Sequence, residues 1–229
     1  MKIFKVLLLS FMITAVLCAA AACGGGGGGS PSGSVVIPDG FSKYENKDQK
    51  IAVLYPDEWV VIDASNRAEE IQELVSEAFG SDSEASNIFQ ELQVDFSQVT
   101  AIWYDIPEMS DGNAPSLNLV VNNSEGMKLS DLKKSTVQKE FQEMFDSYYP
   151  QMFGNYKPVE NVTGKEFGKH YYITVKYDAA VSGITLSACQ ALTIIGDKMI
   201  TFTYTTSKGQ AAIPMETLGT IFASLETTR

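Results

Sequence analysis

Two stretches near the end of the chain alternate residue by residue, a pattern that only extended strands can use. Ile184, Leu186, Ala188, Leu192 and Ile194 recur at every second position, with Gln190 interrupting. Ile200, Phe202 and Tyr204 do the same in the next run, separated by Thr201, Thr203 and Thr205. Side chains of a strand point alternately to opposite faces, so this period of two predicts strands over 184–195 and 199–206. Gly196-Asp197-Lys198 joins them as a short turn, which makes them antiparallel neighbours. One face of the pair is apolar and the other is threonine-rich, the language of an antiparallel sheet.

Other segments supply the rest of a sheet and its cover. Phe41 to Tyr44 and Lys50 to Tyr55 flank the polar cluster Glu45-Asn46-Lys47-Asp48-Gln49 and predict a hairpin. Pro56-Asp57-Glu58 makes a second turn before an extended run from Trp59 to Ile62. Further strands are expected over 100–104, 117–122 and 169–177. Asn66 with Glu69 forms a capping box for a helix carrying Ile71, Leu74, Val75, Ala78 and Phe79, which Gly80 ends. Ser83 opens a shorter helix. Ser130 is expected to cap a long helix bearing Leu132, Val137, Phe141, Met144, Phe145 and Tyr148, with Pro150 as its stop. A last helix begins near Pro214, with Met215, Leu218, Ile221, Phe222 and Leu225 as its buried stripe. Strands and helices in this order predict an α+β fold, an antiparallel β-sheet flanked by helices as a layered α/β/α sandwich.

The N-terminal part reads as an export signal. Lys2 and Lys5 precede an apolar run from Val6 to Leu17, then small residues from Ala19 to Ala22, then Cys23. This resembles a lipobox, in which the cysteine thiol receives a diacylglyceryl group. Ala20 departs from the leucine that a lipobox prefers, and Ala20-x-Ala22 also suits an ordinary signal peptidase that would release a secreted protein. The apolar run is short for a membrane-spanning helix. Gly24 to Gly29 and Ser30-Pro31-Ser32-Gly33-Ser34 form a flexible tether, with an r.m.s. span of about 20–24 Å for about 16 residues. The expected organisation is a signal peptide over 1–22, lipidated Cys23 and tether over 23–39, and one globular domain over 40–229.

Composition narrows what the domain meets. Loss of Lys2 and Lys5 with the leader takes the formal charge from −11 to −13. Such a surface is repelled by nucleic acid and by anionic lipid headgroups. Membrane association is therefore expected through the lipid on Cys23 and not through a basic patch. With Cys23 modified and Cys18 removed with the leader, Cys189 stands alone in an alternating apolar segment, so no disulfide framework is expected.

Two segments together resemble a known family. One is Phe41-x-x-Tyr44 followed by Ile51-Ala52-Val53-Leu54-Tyr55-Pro56-Asp57-Glu58-Trp59. The other is Gly196-Asp197-Lys198-Met199-Ile200-Thr201-Phe202-Thr203-Tyr204-Thr205, then a helix through Phe222-Ala223-Ser224-Leu225. Both look like the PsbP-like superfamily, which opens with a strand, a Pro-x-x-Trp turn and a strand, and closes with a strand, a polar linker and a helix. The region 67–99 departs from the minimal pattern by inserting helical segments. The resemblance implies a PsbP-like α/β/α sandwich. Relatives include the PsbP subunit of photosystem II, DcrB-type bacterial envelope lipoproteins and a Ran-binding nuclear import factor. These are mostly binding or accessory proteins, and the family carries no single catalytic motif to transfer.

No constellation for catalysis survives scrutiny. Ser130-Asp131-Leu132-Lys133 matches an S-x-x-K element, and Ser207-Lys208-Gly209 is a poor counterpart of K-T-G. His170 is the sole histidine, and no G-x-S-x-G elbow accompanies it. One histidine and one unmodified cysteine do not make a usual zinc site. Weak calcium candidates are Asp105, Glu108 and Asp111 in one polar loop, and Asp82, Glu84 and Ser86 in another that lacks EF-hand spacing. Tyrosines combine an apolar ring with a polar tip, which suits interfaces. Tyr148, Tyr149, Tyr156, Tyr171 and Tyr172 are therefore the expected partner surface.

The sequence thus predicts a lipid-anchored protein on the extracytoplasmic face of the cell membrane. No catalytic residue, metal site or cofactor is assigned, and an envelope protein is the expected partner. A small-ligand- or calcium-binding lipoprotein is the alternative, with an envelope hydrolase behind it. Mass spectrometry of the mature N-terminus is expected to find an acylated Cys23; an unmodified terminus would mean simple secretion.

Overall fold

A computed structural model describes residues 37–63, 99–105, 107–108, 114–181, 184–210 and 212–228. The leader, Cys23 and the tether up to residue 36, the two helices expected between Asn66 and Leu92, and Asp82, Glu84, Ser86 and Asp111 lie outside the described residues.

The expected hairpin forms between β1 (Phe41–Asn46) and β2 (Ile51–Pro56). Its turn is held by Asn46, whose Oδ1 accepts the Gln49 N–H at 2.8 Å, and Lys50 takes a left-handed φ of 49°. Pro56-Asp57-Glu58 then turns the chain, with the Trp59 N–H on the Pro56 carbonyl at 3.0 Å. That turn carries the chain from one sheet to another: β1 and β2 belong to a three-stranded sheet, and β3 (Val60–Asp63) is an edge of a seven-stranded one.

The large sheet continues with β4 (Ala101–Tyr104), β5 (Ser116–Asn123), β6 (Gly154–Phe167), β7 (His170–Val181), β8 (Ile184–Ile195) and β9 (Lys198–Ser207). Its order is β3-β4-β5-β9-β8-β7-β6, antiparallel throughout. The hairpin read from the sequence is present, with Ile195 opposite Lys198 and Gly196 at φ 63°. That φ is a conformation glycine adopts without steric penalty.

Among the described residues, three helices and the small sheet cover the large one. α1 (Leu129–Leu132) and α2 (Ser135–Met152) replace the single expected helix. Ser130 is not its cap: Lys128 holds that position, and Asp131 turns back to accept the Lys128 N–H at 2.9 Å. Pro150 does not stop α2, which absorbs it in the last turn and closes with the Phe153 N–H on the Tyr149 carbonyl at 2.9 Å. α3 (Met215–Ser224) buries Leu218, Ile221 and Phe222 as expected, but Met215 faces outward at 43% exposure. After α3, β10 (Glu226–Thr227) joins β2, and Lys43 pairs with Glu226 at 2.6 Å across the small sheet.

Two cores result, one on each face of the large sheet. Trp103, Leu119, Phe202 and Tyr172 meet α3 and the small sheet on one side. Ile173, Val175, Leu192 and Met199 meet α2 on the other. The threonine-rich face of β9 is therefore interior: Thr201, Thr203 and Thr205 are 1%, 0% and 4% exposed. Phe222 links α3 to the sheet, with its ring 5.2 Å from those of Phe167 and Phe202. Its carbonyl takes the buried Tyr172 hydroxyl at 2.7 Å. Phe222→Ala is expected to lower stability by about 3–5 kcal/mol in denaturant unfolding, the cost of a large core truncation.

Candidate functional site

The five tyrosines expected to form one surface do not. Tyr172 is 0% exposed and belongs to the core under α3, whereas Tyr149 is 1% exposed and belongs to the core under α2. The sheet separates them. Tyr149 is the hub of an aromatic cluster, with ring centroids 4.6 Å from Phe145, 5.1 Å from Tyr177, 5.2 Å from Phe153 and 5.6 Å from Tyr156. Each of these four contacts is edge-on, the geometry that aromatic quadrupoles favour in a packed interior. Burial, with the charge of Asp146, pushes the Tyr156 phenol up to about 12.

Tyr171 has both sides of its ring occupied. Its phenol lies over Gly164, where an added Cβ would stand 1.8 Å from the hydroxyl oxygen, and Lys133 Nζ sits 4.9 Å from the ring centre. Gln138 donates to the same hydroxyl at 2.8 Å. Tyr148 and Tyr156 are half-buried against the α2 core. The tyrosines on this side fasten α1 and α2 to the sheet.

The lysines of the two catalytic look-alikes are held in ion pairs. Lys133 leans on Glu166 at 3.7 Å, while Lys208 pairs with Asp178 at 3.1 Å. Tyr171, beside Lys133, and Asp178 are seven residues apart on β7, a separation of about 23 Å along a strand. The S-x-x-K and K-x-G look-alikes therefore lie at opposite ends of the sheet. His170 donates from its ring to the Leu225 carbonyl, and burial holds its pKa below the ordinary imidazole value. Cys189 is buried, and desolvation pushes its thiol up to about 11. A nucleophilic cysteine requires the reverse shift.

Of the calcium candidates, Asp105 and Glu108 are close enough for the Glu108 N–H to reach the Asp105 carboxylate. Among the described residues, no group of three or more His, Cys, Asp or Glu side chains is placed to hold a metal. Asp105 is itself unusual, at 6% exposure. Burial first, then the charges of Glu108 and Glu58, push its carboxyl up to about 6, against hydrogen bonds from the Glu108 backbone and the Trp59 indole.

The sequence reading missed a group of buried polar side chains on the α2 face. Asn118 and Gln190 are 0% and 2% exposed, and the register places both opposite Thr203. Gln190 accepts from the Tyr149 hydroxyl at 2.9 Å and donates to Thr203 Oγ1 at 3.2 Å. Asn118 was legible as an amide in the middle of Leu117-Asn118-Leu119-Val120-Val121. A cavity of about 10 Å³ beside Gln190, bounded by Phe145, Val162, Ile173, Val175 and Leu192, is no larger than one water needs.

Comparison with solved structures fixes the fold. The solution structure of cyanobacterial PsbP (CyanoP) from Synechocystis sp. PCC 6803 is similar, with a TM-score of 0.50 and 17% identity, over 86% of this chain and 98% of that one. LpqN from Mycobacterium tuberculosis, described as involved in cell envelope biogenesis, superposes with a TM-score of 0.49 and 7% identity, over 82% and 91% of the two chains. A crystal structure from Bacteroides thetaiotaomicron gives a TM-score of 0.45 and 13% identity, over 82% of this chain and 48% of that one. No family model and no curated protein matches the sequence. The fold is PsbP-like, as the two end motifs implied.

Asp105 gives a pH signature. Its carboxyl titrates near 6 when folded and near 4 when unfolded. The folded state therefore holds the extra proton between these values, and stability falls as pH rises from about 4 to about 6. Asp105→Asn is expected to flatten that slope and to raise stability at neutral pH by on the order of 1 kcal/mol. Urea unfolding of both proteins across this range measures it.

Proposed function

We propose that this chain is a lipoprotein of the bacterial cell envelope, held by lipid on Cys23 at the extracytoplasmic face of the membrane, and that it acts there as a non-enzymatic binding or accessory protein. The observation that carries the reading is the order of parts at the N-terminus: Lys2 and Lys5, an apolar run, small residues, Cys23 and a glycine tract. Acyl chains at about 0.8 kcal/mol per buried CH₂ hold a domain whose own charge would keep it off anionic lipid.

The domain supports the second half of the proposal. Ser130, Lys133, His170, Cys189 and Lys208 were the residues with chemistry to offer. Lys133, His170 and Lys208 are engaged by structural partners, and Cys189 is buried with a raised pKa. Ser130 lies inside a four-residue helix with Lys133 turned to Glu166. The PsbP-like fold is compatible with this, since the superfamily resemblance implies binding and accessory roles.

Fractionation of cells expressing the full chain tests the anchor. Wild type is expected in the membrane fraction, and Cys23→Ser in the soluble exported fraction; equal distribution would defeat the lipid anchor. Crosslinking in intact cells is expected to capture an envelope protein with the wild type. A chain that crosslinks to nothing would count against the binding role while leaving the anchor standing.

A further inference from the structure

β7 turns Lys176 and Asp178 to the α3 side of the large sheet, because Tyr172 lies in the core on that side and alternate residues share a face. Register carries the same face onto the neighbouring strands. Glu160 and Lys157 of β6 lie opposite Lys176 and Asp178, Lys165 lies opposite Tyr172, and Ser187 of β8 lies opposite Asp178. α3 packs over the Tyr172 end of this face, with Phe222 against Tyr172 and Phe167. The other end is open. The side chains of Lys208, Lys165 and Lys176 are 59%, 37% and 28% exposed, and Lys157 is exposed as well.

The charges on this open end are unequal. Glu160 accepts from Lys176 Nζ at 2.8 Å through one oxygen and pairs with Lys165 Nζ at 3.6 Å through the other. Asp178 accepts from Lys208 Nζ at 3.1 Å and from the Ser187 hydroxyl at 2.8 Å, and the charge of Lys157 acts on the same carboxylate. Four lysines thus share two carboxylates, which leaves two positive charges unbalanced on a strongly acidic chain. All four carboxylate oxygens are engaged, whereas an ammonium carries three N–H groups and turns the remainder to solvent. Exposed pairs of this kind add little to fold stability.

The complement of such a surface is an anion, and the spread of the lysines selects its kind. Donors that hold a single phosphate converge on one point, as at a helix N-terminus or an arginine fork. Here they are distributed from β6 to the end of β9, a width of about 14 Å at the usual strand spacing. An extended acidic peptide presents carboxylates on one side about every 7 Å, the spacing between alternate residues of β7. Val159, next to Glu160 on β6, is 57% exposed and offers an apolar contact that a peptide can use.

We propose that the open face of β6, β7 and β8, with Lys157, Lys165, Lys176 and Lys208, docks an acidic polypeptide segment of the protein's partner. The partner's carboxylates take the free N–H groups of the lysines, and Glu160 competes with them for Lys165 and Lys176. The inference rests on the binding role proposed above and names the contact that serves it.

The test is an NMR titration of the ¹⁵N-labelled full chain in non-ionic detergent with end-blocked hexaglutamate, and with hexalysine and polyphosphate for comparison. Hexaglutamate is expected to shift the backbone amides of 157–165 and 174–178 saturably, with an affinity that falls as salt rises. Lys165→Gln combined with Lys176→Gln is expected to weaken binding by about threefold to tenfold, the worth of two exposed charge pairs. Lys139→Gln, on the solvent side of α2 at 78% exposure, is expected to leave it unchanged. Glu160→Gln is expected to tighten it, a change that a purely structural ion pair would not produce. No saturable shift, an equal response to hexalysine, or equal weakening by Lys139→Gln overturns the proposal. Saturation by polyphosphate at or below the hexaglutamate concentration also overturns it and assigns the face to a phosphate polymer. Should the double variant fail to fold, Lys157→Gln and Glu160→Gln decide the matter by their opposite signs. Crosslinking separates this inference from the broader role: equal capture of an envelope protein by wild type and the double variant would strike out this face and leave the binding role standing.

Discussion

Burial of the large sheet on both faces governs the rest of the structure. β9 lies at its centre, paired with β5 on one side and β8 on the other. Ile200, Phe202 and Tyr204 point into one core, and Met199 points into the other. A strand buried on both faces needs two covers. α3 and the three-stranded sheet supply one, and α1 and α2 supply the part of the other that lies over β6, β7 and β8. The Pro56 turn matters because it lets one continuous stretch serve both sheets: β2 covers the large sheet, and β3 belongs to it.

Covering both faces has a cost. A threonine-rich face that would be unremarkable in water becomes interior, and its hydroxyls must find partners. Ser116 with Thr205, and Gln190 with Thr203, show how much of that need the sheet meets from its own side chains. Tyr149 meets another part of it from α2. The same helix seats an aromatic cluster, so the tyrosines that resemble a recognition surface in the sequence serve as fasteners. Gly164 works to the same end, since only a residue without a side chain leaves room for Tyr171 to lie across β6.

The outer strands differ from the centre. β6 is an edge strand of fourteen residues, interrupted by register shifts and carrying Pro158, Lys157, Glu160 and Lys165. Irregular pairing, proline and charge are what keep an exposed edge from recruiting other strands. The same features hid β6 from sequence reading, because its burial pattern follows no clean period of two. An edge built this way keeps the sheet from being extended strand to strand by another chain.

Strand alternation over 184–206, the early hairpin, the Pro56 turn and the apolar stripe of α3 were legible from residues alone, because each is a local pattern whose period fixes its structure. The tertiary structure decided what local patterns cannot carry. It placed Tyr149 and Tyr172 in different cores, because neighbouring helix and strand residues end on opposite sides of a sheet. It moved the cap from Ser130 to Lys128 and let α2 run through Pro150, because packing of Phe141, Phe145 and Tyr149 outweighs local stop signals. It turned Asn118 from one amide in an apolar run into a fully buried group, since burial depends on what arrives from elsewhere in the chain. The sequence by itself determined the strands whose alternation is regular, because a period of two is a local pattern; only the assembled layers decided which polar groups are left facing one another inside.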